Sequence, residues 1–217
     1  MPNIKKKINK QFLSLLNDYA GLKLPGARSH LRMAPEMRRK DILFPDKSQK
    51  SIDSAVLIAF YPESFSYKTV LIKRPDYDGV HSGQIAFPGG RREKNEELYE
   101  TALREAKEEV GIDPDDVKII TQLTPLYIPP SKYMVYPFVG ILDKKPSLVA
   151  DRIEVAEIFE IDLNFFLDRN NTKSENIQLS DGAIVSAPCY NYDGKIIWGA
   201  TAMIMCELVD LIYERFN

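Results

Sequence analysis

The chain has 217 residues, 44% hydrophobic and 28% charged, with a formal net charge of −2. These values exclude disordered, collagen-like and low-complexity chains, and the length is enough to bury a core without disulfide or metal staples. Cys189 and Cys206 form neither a disulfide framework nor a CxxC metal pair and read as reduced thiols, and the longest apolar run, Ala55 to Tyr61, is far short of the ~20 residues of a membrane helix.

Charge is unevenly spread. Residues 1–50 carry 12 Lys/Arg against 4 Asp/Glu, net +8, and residues 51–217 carry 17 against 27, net −10. Ile4, Ile8, Phe12, Leu15, Leu16 and Tyr19 follow helical spacing, which makes the lysines between them the wet face of an amphipathic helix. A second reading places this basic segment near an anionic substrate. No apolar block follows Lys5, Lys6, Lys7 and Lys10, so a cytoplasmic protein is expected.

Pro25-Gly26 breaks the chain, and Pro35, Pro45 and Asp46 mark an irregular stretch to about residue 50. Strands are expected over Ser54–Tyr61 and Lys68–Lys73, joined by the polar turn Glu63–Tyr67. Residues 75–95 read as a loop with short strands. The clearest helix runs over residues 96–110, with Asn95 as N-cap, Glu96 and Glu97 at the positive end of the dipole, and Gly111 and Pro114 as a stop. Its buried stripe is Leu98, Ala102, Ala106 and Val110. Further strands are expected over Val117–Leu123, Met134–Leu142 and Val155–Ile161, then a short helix over Leu163–Asp168. Ala183–Tyr190 and Lys195–Trp198 pair as a hairpin, and Thr201–Phe216 closes the chain as an amphipathic helix. Helices interspersed with strands predict an α/β/α layered fold on a mixed sheet.

The helix has a second face. Glu105, Glu108 and Glu109 stand at i, i+3 and i+4, so three carboxylates project from one side and repel each other. A solvated acidic surface and a site for a hard divalent cation both fit that pattern. The spacing around the trio separates them: Gly90-x5-Glu96-x7-Arg104-Glu105-Ala106-Lys107-Glu108-Glu109-Val110-Gly111-Ile112 fills nine constrained positions across 23 residues. This stretch resembles the Nudix box, GX5EX7REUXEEXGU with U aliphatic. The resemblance implies an α/β/α sandwich and a hydrolase of diphosphates linking two organic groups. It assigns Glu105, Glu108 and Glu109 as ligands of Mg²⁺ or Mn²⁺, which neutralise the diphosphate and lower the pKa of a coordinated water. It casts Arg104 and Glu96 as an ion pair bracing the loop and helix, with Gly90 and Gly111 as backbone turning points.

The segment entering the box narrows the substrate. His81-Ser82-Gly83-Gln84-Ile85-Ala86-Phe87-Pro88-Gly89-Gly90 resembles the coenzyme A pyrophosphatase branch, whose pattern is LLTXR(S/A)X3RX3GX3FPGG. Leu71, Arg74, Gly83, Phe87, Pro88, Gly89 and Gly90 fit it. Ile72, Pro75 and Gly79 stand where the pattern has Thr, Ser/Ala and Arg. An arginine at 79 would hold a phosphate bidentately; Lys73 or the basic N-terminal segment is a substitute cation. Pro25-Gly26, Met33-Ala34-Pro35 with Arg38, Leu123-Thr124-Pro125-Leu126 and Ile197-Trp198-Gly199-Ala200-Thr201-Ala202 also resemble that branch, so the likeness covers nearly the whole chain as one domain. In it residues 1–50 are a basic helical extension, 51–165 the core and 166–217 the C-terminal hairpin and helix.

The expected reaction is cleavage of coenzyme A or its thioesters to 3′,5′-ADP and 4′-phosphopantetheine. Glu108, Glu109 or Glu154 takes the proton of the attacking water, and Arg74, His81, Gly83, Gln84 and Phe87 bind substrate. Glu154 also reads as a surface glutamate, and His81 as a structural loop residue. Phe87 and Trp198 carry rings able to stack on adenine, with core packing the plainer reading for Trp198. Tyr127, Tyr133 and Tyr136 flank the Ile128-Pro129-Pro130 loop, a candidate rim for a pantetheine arm. Rival readings are a hydrolase of ADP-ribose, NADH or a dinucleotide, and a non-catalytic ligand-binding module of the same fold. The partner is a small molecule; no nucleic acid or membrane is expected, and a homodimer is left open.

Overall fold

The computed structural model describes residues 23–43, 50–180 and 182–216, so the expected helix over Ile4 to Tyr19 lies outside the described residues. The core is one mixed sheet. Its strands are β1 (Ile52–Glu63), β2 (Ser66–Lys73), β3 (Ile85–Ala86), β4 (Gly89–Arg91), β5 (Lys118–Gln122), β6 (Leu126–Ile128), β7 (Tyr133–Ile141) and β8 (Glu157–Asp162). β1 and β7 are parallel, with Leu57 opposite Phe138, and every other pairing in this sheet is antiparallel.

β1 is buried on both faces, and its period of two sorts its side chains. Ala55, Leu57, Ala59 and Tyr61 face a cluster with Ala102, Ala106 and Val110 of helix α3 (Leu98–Val110). Ile58 and Phe60 face the opposite cluster, built with helix α5 (Gly199–Phe216). Each fully buried Leu, Ile or Phe contributes roughly 1.5–3 kcal/mol. The two alanines of α3 let its axis approach β1 closely, which holds Glu105 against Gly90 of β4. The α/β/α sandwich is as expected.

Several boundaries differ from expectation. The basic stretch after Pro25 is not irregular: it forms α1 (Ala27–Met33), a 3₁₀ turn over Glu36–Arg38 and α2 (Arg39–Leu43). Helix α3 starts at Leu98, and its N-cap is Glu97, which forms a reciprocal capping box with Glu100. Asn95 sits in a left-handed turn before the cap. α4 (Leu163–Leu167) is capped by Asp162. A strand absent from the sequence reading, β9 (Thr172–Gln178), joins β10 (Ile184–Tyr192) and β11 (Lys195–Trp198) in a second, antiparallel sheet. β9 is polar and mostly exposed, so it carries no hydrophobic pattern to read.

α5 is the largest correction. Residues 201–212 are buried without a break, including Glu207 and Asp210, so this is a core helix rather than an amphipathic one. Its two buried acids are met by Gly26, α1 and Thr124. Gly26 N–H and Thr124 Oγ1 donate to Glu207 Oε1 at 3.0 and 2.5 Å, and His30 Nε2 lies 3.0 Å from Oε2. Ser29 Oγ donates to Asp210 Oδ2 at 2.6 Å, and Arg32 pairs with the same carboxylate. No helix among the described residues is long and apolar enough to cross a membrane.

Candidate active site

The loop from β4 into α3 is held by one arginine. Arg104 Nε donates to Glu96 Oε1 at 2.9 Å and Nη2 to Arg91 O at 3.1 Å, while Nη1 reaches Glu105 Oε1 at 2.8 Å and Glu108 Oε2 at 2.9 Å. Glu96 also accepts from Thr101 Oγ1 at 2.7 Å and Glu93 N–H at 3.1 Å. The Arg104 guanidinium is the main reason the Glu96 carboxyl falls to a pKa of about 2. The expected brace is therefore present. At the other end Gly111, at φ 75°, closes the helix: its N–H donates to Lys107 O and that of Ile112 to Ala106 O.

Two glycines let the carboxylates approach the sheet. A Cβ on Gly89 would collide with Ala55 O, and one on Gly90 would stand 2.5 Å from the Glu105 carboxylate. Gly89 N–H donates to Glu109 Oε2 at 2.8 Å. Glu109 is 1% exposed, and burial pushes its carboxyl up to about 8 despite that bond and the nearby Arg74 charge. Burial also raises Glu105, with Arg104 opposing the shift and Glu108 and Glu154 adding to it.

The structure brings Glu105 and Glu109 together with Glu154, each offering an oxygen within 4.8 Å of the others. Glu108 stands beside this group, exposed and paired to Arg104, so the three acids of the helix do not converge as a set. Glu154 lies in the turn before β8, which starts at Glu157 rather than at Val155. Asp151 builds that turn, its Oδ1 accepting from Ile153 N–H at 2.7 Å and Glu154 N–H at 3.0 Å, while its own N–H donates to Glu109 O at 2.9 Å. The sequence reading does not single out Asp151; its only local signal is the tendency of Asp to close turns by accepting from backbone N–H groups just ahead of it. Three carboxylates with no nitrogen or sulfur donor among them fit a hard divalent cation, which would also offset the cost of ionising buried Glu109.

The acids open into a cleft of about 1540 Å³. Arg74, His81, Gly83 and Gln84 line it as expected. His81 Nδ1 lies 3.0 Å from Gln84 Oε1, and burial, with the charges of Arg74 and Arg38, holds its imidazole below the ordinary pKa. Phe87 also lies at the cleft wall, but at 2% exposure most of its ring packs in the core. Trp198 is half-buried and lines the cleft. Of the loop tyrosines only Tyr133 lines it, with Ile128 and Pro130; Tyr136 packs on the opposite side of the sheet. From the basic N-terminal segment, Arg38 also reaches the cleft wall.

A sandwich that presents clustered acids to a cleft with basic residues along its wall has the features of a cation-dependent hydrolase of anionic substrates. The NUDIX domain model matches residues 52–177. The chain is 33% identical over 205 residues to an uncharacterized Nudix hydrolase, NudL, of Pectobacterium atrosepticum, covering 92% of this chain and 96% of that one. It is 31% identical over 179 residues to the mitochondrial Nudix hydrolase 15 of Arabidopsis thaliana, covering 79% of this chain but 62% of the plant protein's length. Among solved structures, the MutT protein of Methanosarcina mazei Go1 superposes with a TM-score of 0.52 at 18% identity, over 79% of this chain and 100% of that one, and agrees in fold. The chain belongs to the Nudix family and is a pyrophosphohydrolase of nucleoside diphosphate derivatives. The non-catalytic reading is set aside accordingly.

Proposed function

We propose that the protein hydrolyses the diphosphate of coenzyme A or its thioesters, releasing 3′,5′-ADP and 4′-phosphopantetheine or its acyl form. The observation that carries this reading is the Glu105, Glu109 and Glu154 cluster at one part of a cleft that also holds Arg74 and Arg38. A cleft of this volume exceeds the usual ~300–1,000 Å³ of small-ligand pockets and suits a long, multiply charged substrate. The entering segment's likeness to the coenzyme A branch points the same way.

Glu105, Glu109 and Glu154 would hold Mg²⁺ or Mn²⁺, with Glu108 at the edge of the same acidic surface. Bound there, the cation neutralises the diphosphate oxygens and lowers the pKa of water. Arg74, whose charge already acts on Glu109, pairs with a diphosphate oxygen. Glu154 reaches the site from a turn rather than from the helix; one of its oxygens would complete the cation site, and the other, left free, would take the proton of the attacking water. Arg104 and Glu96 keep the helix and its preceding loop in register.

Gly79 favours a second reading, a nucleoside diphosphate without a further phosphate such as ADP-ribose or NADH, because it offers no side chain to one. Hydrolysis of coenzyme A, acetyl-coenzyme A, dephospho-coenzyme A, ADP-ribose and NADH with Mg²⁺ and with Mn²⁺ separates them. The highest kcat/KM on a coenzyme A species is the expected result. A higher value for ADP-ribose or NADH would overturn the coenzyme A assignment and leave the hydrolase standing.

A further inference from the structure

Arg38 is a cation whose position is fixed without being fully used. It closes the 3₁₀ turn after Pro35, its N–H bonding Pro35 O at 2.9 Å. The segment carrying it is docked by buried polar groups: Gly26 and His30 on Glu207, Ser29 and Arg32 on Asp210. The side chain is 15% exposed and donates from Nη2 to Tyr127 O at 2.8 Å. Nε lies 3.4 Å from Asp41 Oδ2 without a hydrogen bond to it, and is buried with no acceptor among the described residues. Burial, only partly offset by Asp41, holds the guanidinium below its ordinary pKa. A buried cation left short of acceptors is costly unless a ligand supplies them.

Its surroundings name the ligand's chemistry. Arg38 lines the cleft with Gly79 and His81, two members of one loop, and its charge acts on His81. His81 is held by Gln84 and disfavours a positive charge, so the permanent cations acting on it are Arg74 and, from the N-terminal segment, Arg38. Arg74 lines the same cleft, and its charge acts on both His81 and Glu109. The cleft thus holds the acids, Arg74 and Arg38 together.

We propose that Arg38 is the binding residue of a phosphomonoester subsite remote from the scissile diphosphate, supplying from the N-terminal segment the guanidinium that Gly79 lacks. The proposal rests on the coenzyme A reading, in which that group is the 3′-phosphate. The planar fork of arginine suits a terminal phosphate, and lysine would replace its charge but not its two-point contact.

The test compares Arg38→Gln and Arg38→Lys with the wild type, using kcat/KM for coenzyme A and dephospho-coenzyme A. The two substrates differ only in the 3′-phosphate, so the ratio of their kcat/KM values separates a binding role from a structural one. The expected result is that Arg38→Gln lowers the preference for coenzyme A over its dephospho form by about 10- to 100-fold, the loss of a charged hydrogen-bonded contact, with Arg38→Lys intermediate. A proportional fall on both substrates, with the preference kept, would overturn the proposal. If the wild type hydrolyses neither compound, the coenzyme A reading fails, and calorimetric binding of 3′,5′-ADP and 5′-AMP decides on Arg38 alone. Loss of the 3′,5′-ADP preference in Arg38→Gln supports the subsite; the same affinity ratio in both proteins overturns it.

Discussion

Two glutamates are almost fully buried in this molecule, and they are treated in opposite ways. Glu207, 0% exposed on α5, is surrounded by Gly26 N–H, both donors of Thr124 and the imidazole of His30. Glu109, 1% exposed on α3, receives one backbone N–H from Gly89 and faces Glu105 and Glu154. The first carboxylate is completed by the fold and serves as a joint between the N-terminal segment and the core. The second is left incomplete, next to like charge, and the fold bears the cost of it. Burial alone is thus no sign of function; burial with too few donors and too many acids is.

That contrast can be broken by substitution. Glu109→Gln keeps the shape and the Gly89 bond while removing the charge, and turnover with Mg²⁺ should fall by about 10²- to 10⁴-fold, read as kcat on the best substrate of the panel. Wild-type turnover in this variant would remove Glu109 from the chemistry. Glu207→Leu should act on stability instead. It strands Gly26 N–H, Thr124 and His30 in the core, and urea unfolding should show a loss of about 3–5 kcal/mol. A loss below about 1 kcal/mol would mean that the joint is not where the segment is held.

The finest distinction is in pH. Burial raises the Glu109 carboxyl from 4.5 to about 8, so between those values the folded protein holds a proton that the unfolded chain has released. Without divalent cation, that contribution to stability is present below pH about 4.5 and is lost as pH rises through about 8. The thermal midpoint of metal-free protein should fall over this window by a few degrees more than that of Glu109→Gln. Mg²⁺ should reverse the slope by binding the ionised form. Parallel midpoint profiles for the two proteins would show that Glu109 is not the group titrating.

Much of this was readable in the chain. The strands β1, β2 and β7, helix α3 with its stripe of Ala102, Ala106 and Val110, and the hairpin β10–β11 all carry local hydrophobic patterns or turn residues. The Arg104–Glu96 brace followed from the box spacing. What escaped had no local signal. β9 is polar, α1 and α2 are short, and α5 read as amphipathic because Glu207 and Asp210 look like surface acids until their partners from α1 are seen.

The sequence by itself determined the family, the layered fold and the acidic face of α3, because helix periodicity and fixed spacing act within about twenty residues. Only the tertiary structure decided that Glu154 joins Glu105 and Glu109 while Glu108 remains with Arg104, that Phe87 is core, and that Arg38 reaches the cleft. Each of those outcomes depends on contacts between segments far apart in the chain. The Asp151 turn bonded to Glu109, the closeness allowed by Gly89 and Gly90, and α1 seated on α5 are such contacts. Local propensity cannot encode which distant partner will satisfy a buried donor or leave a carboxylate without one.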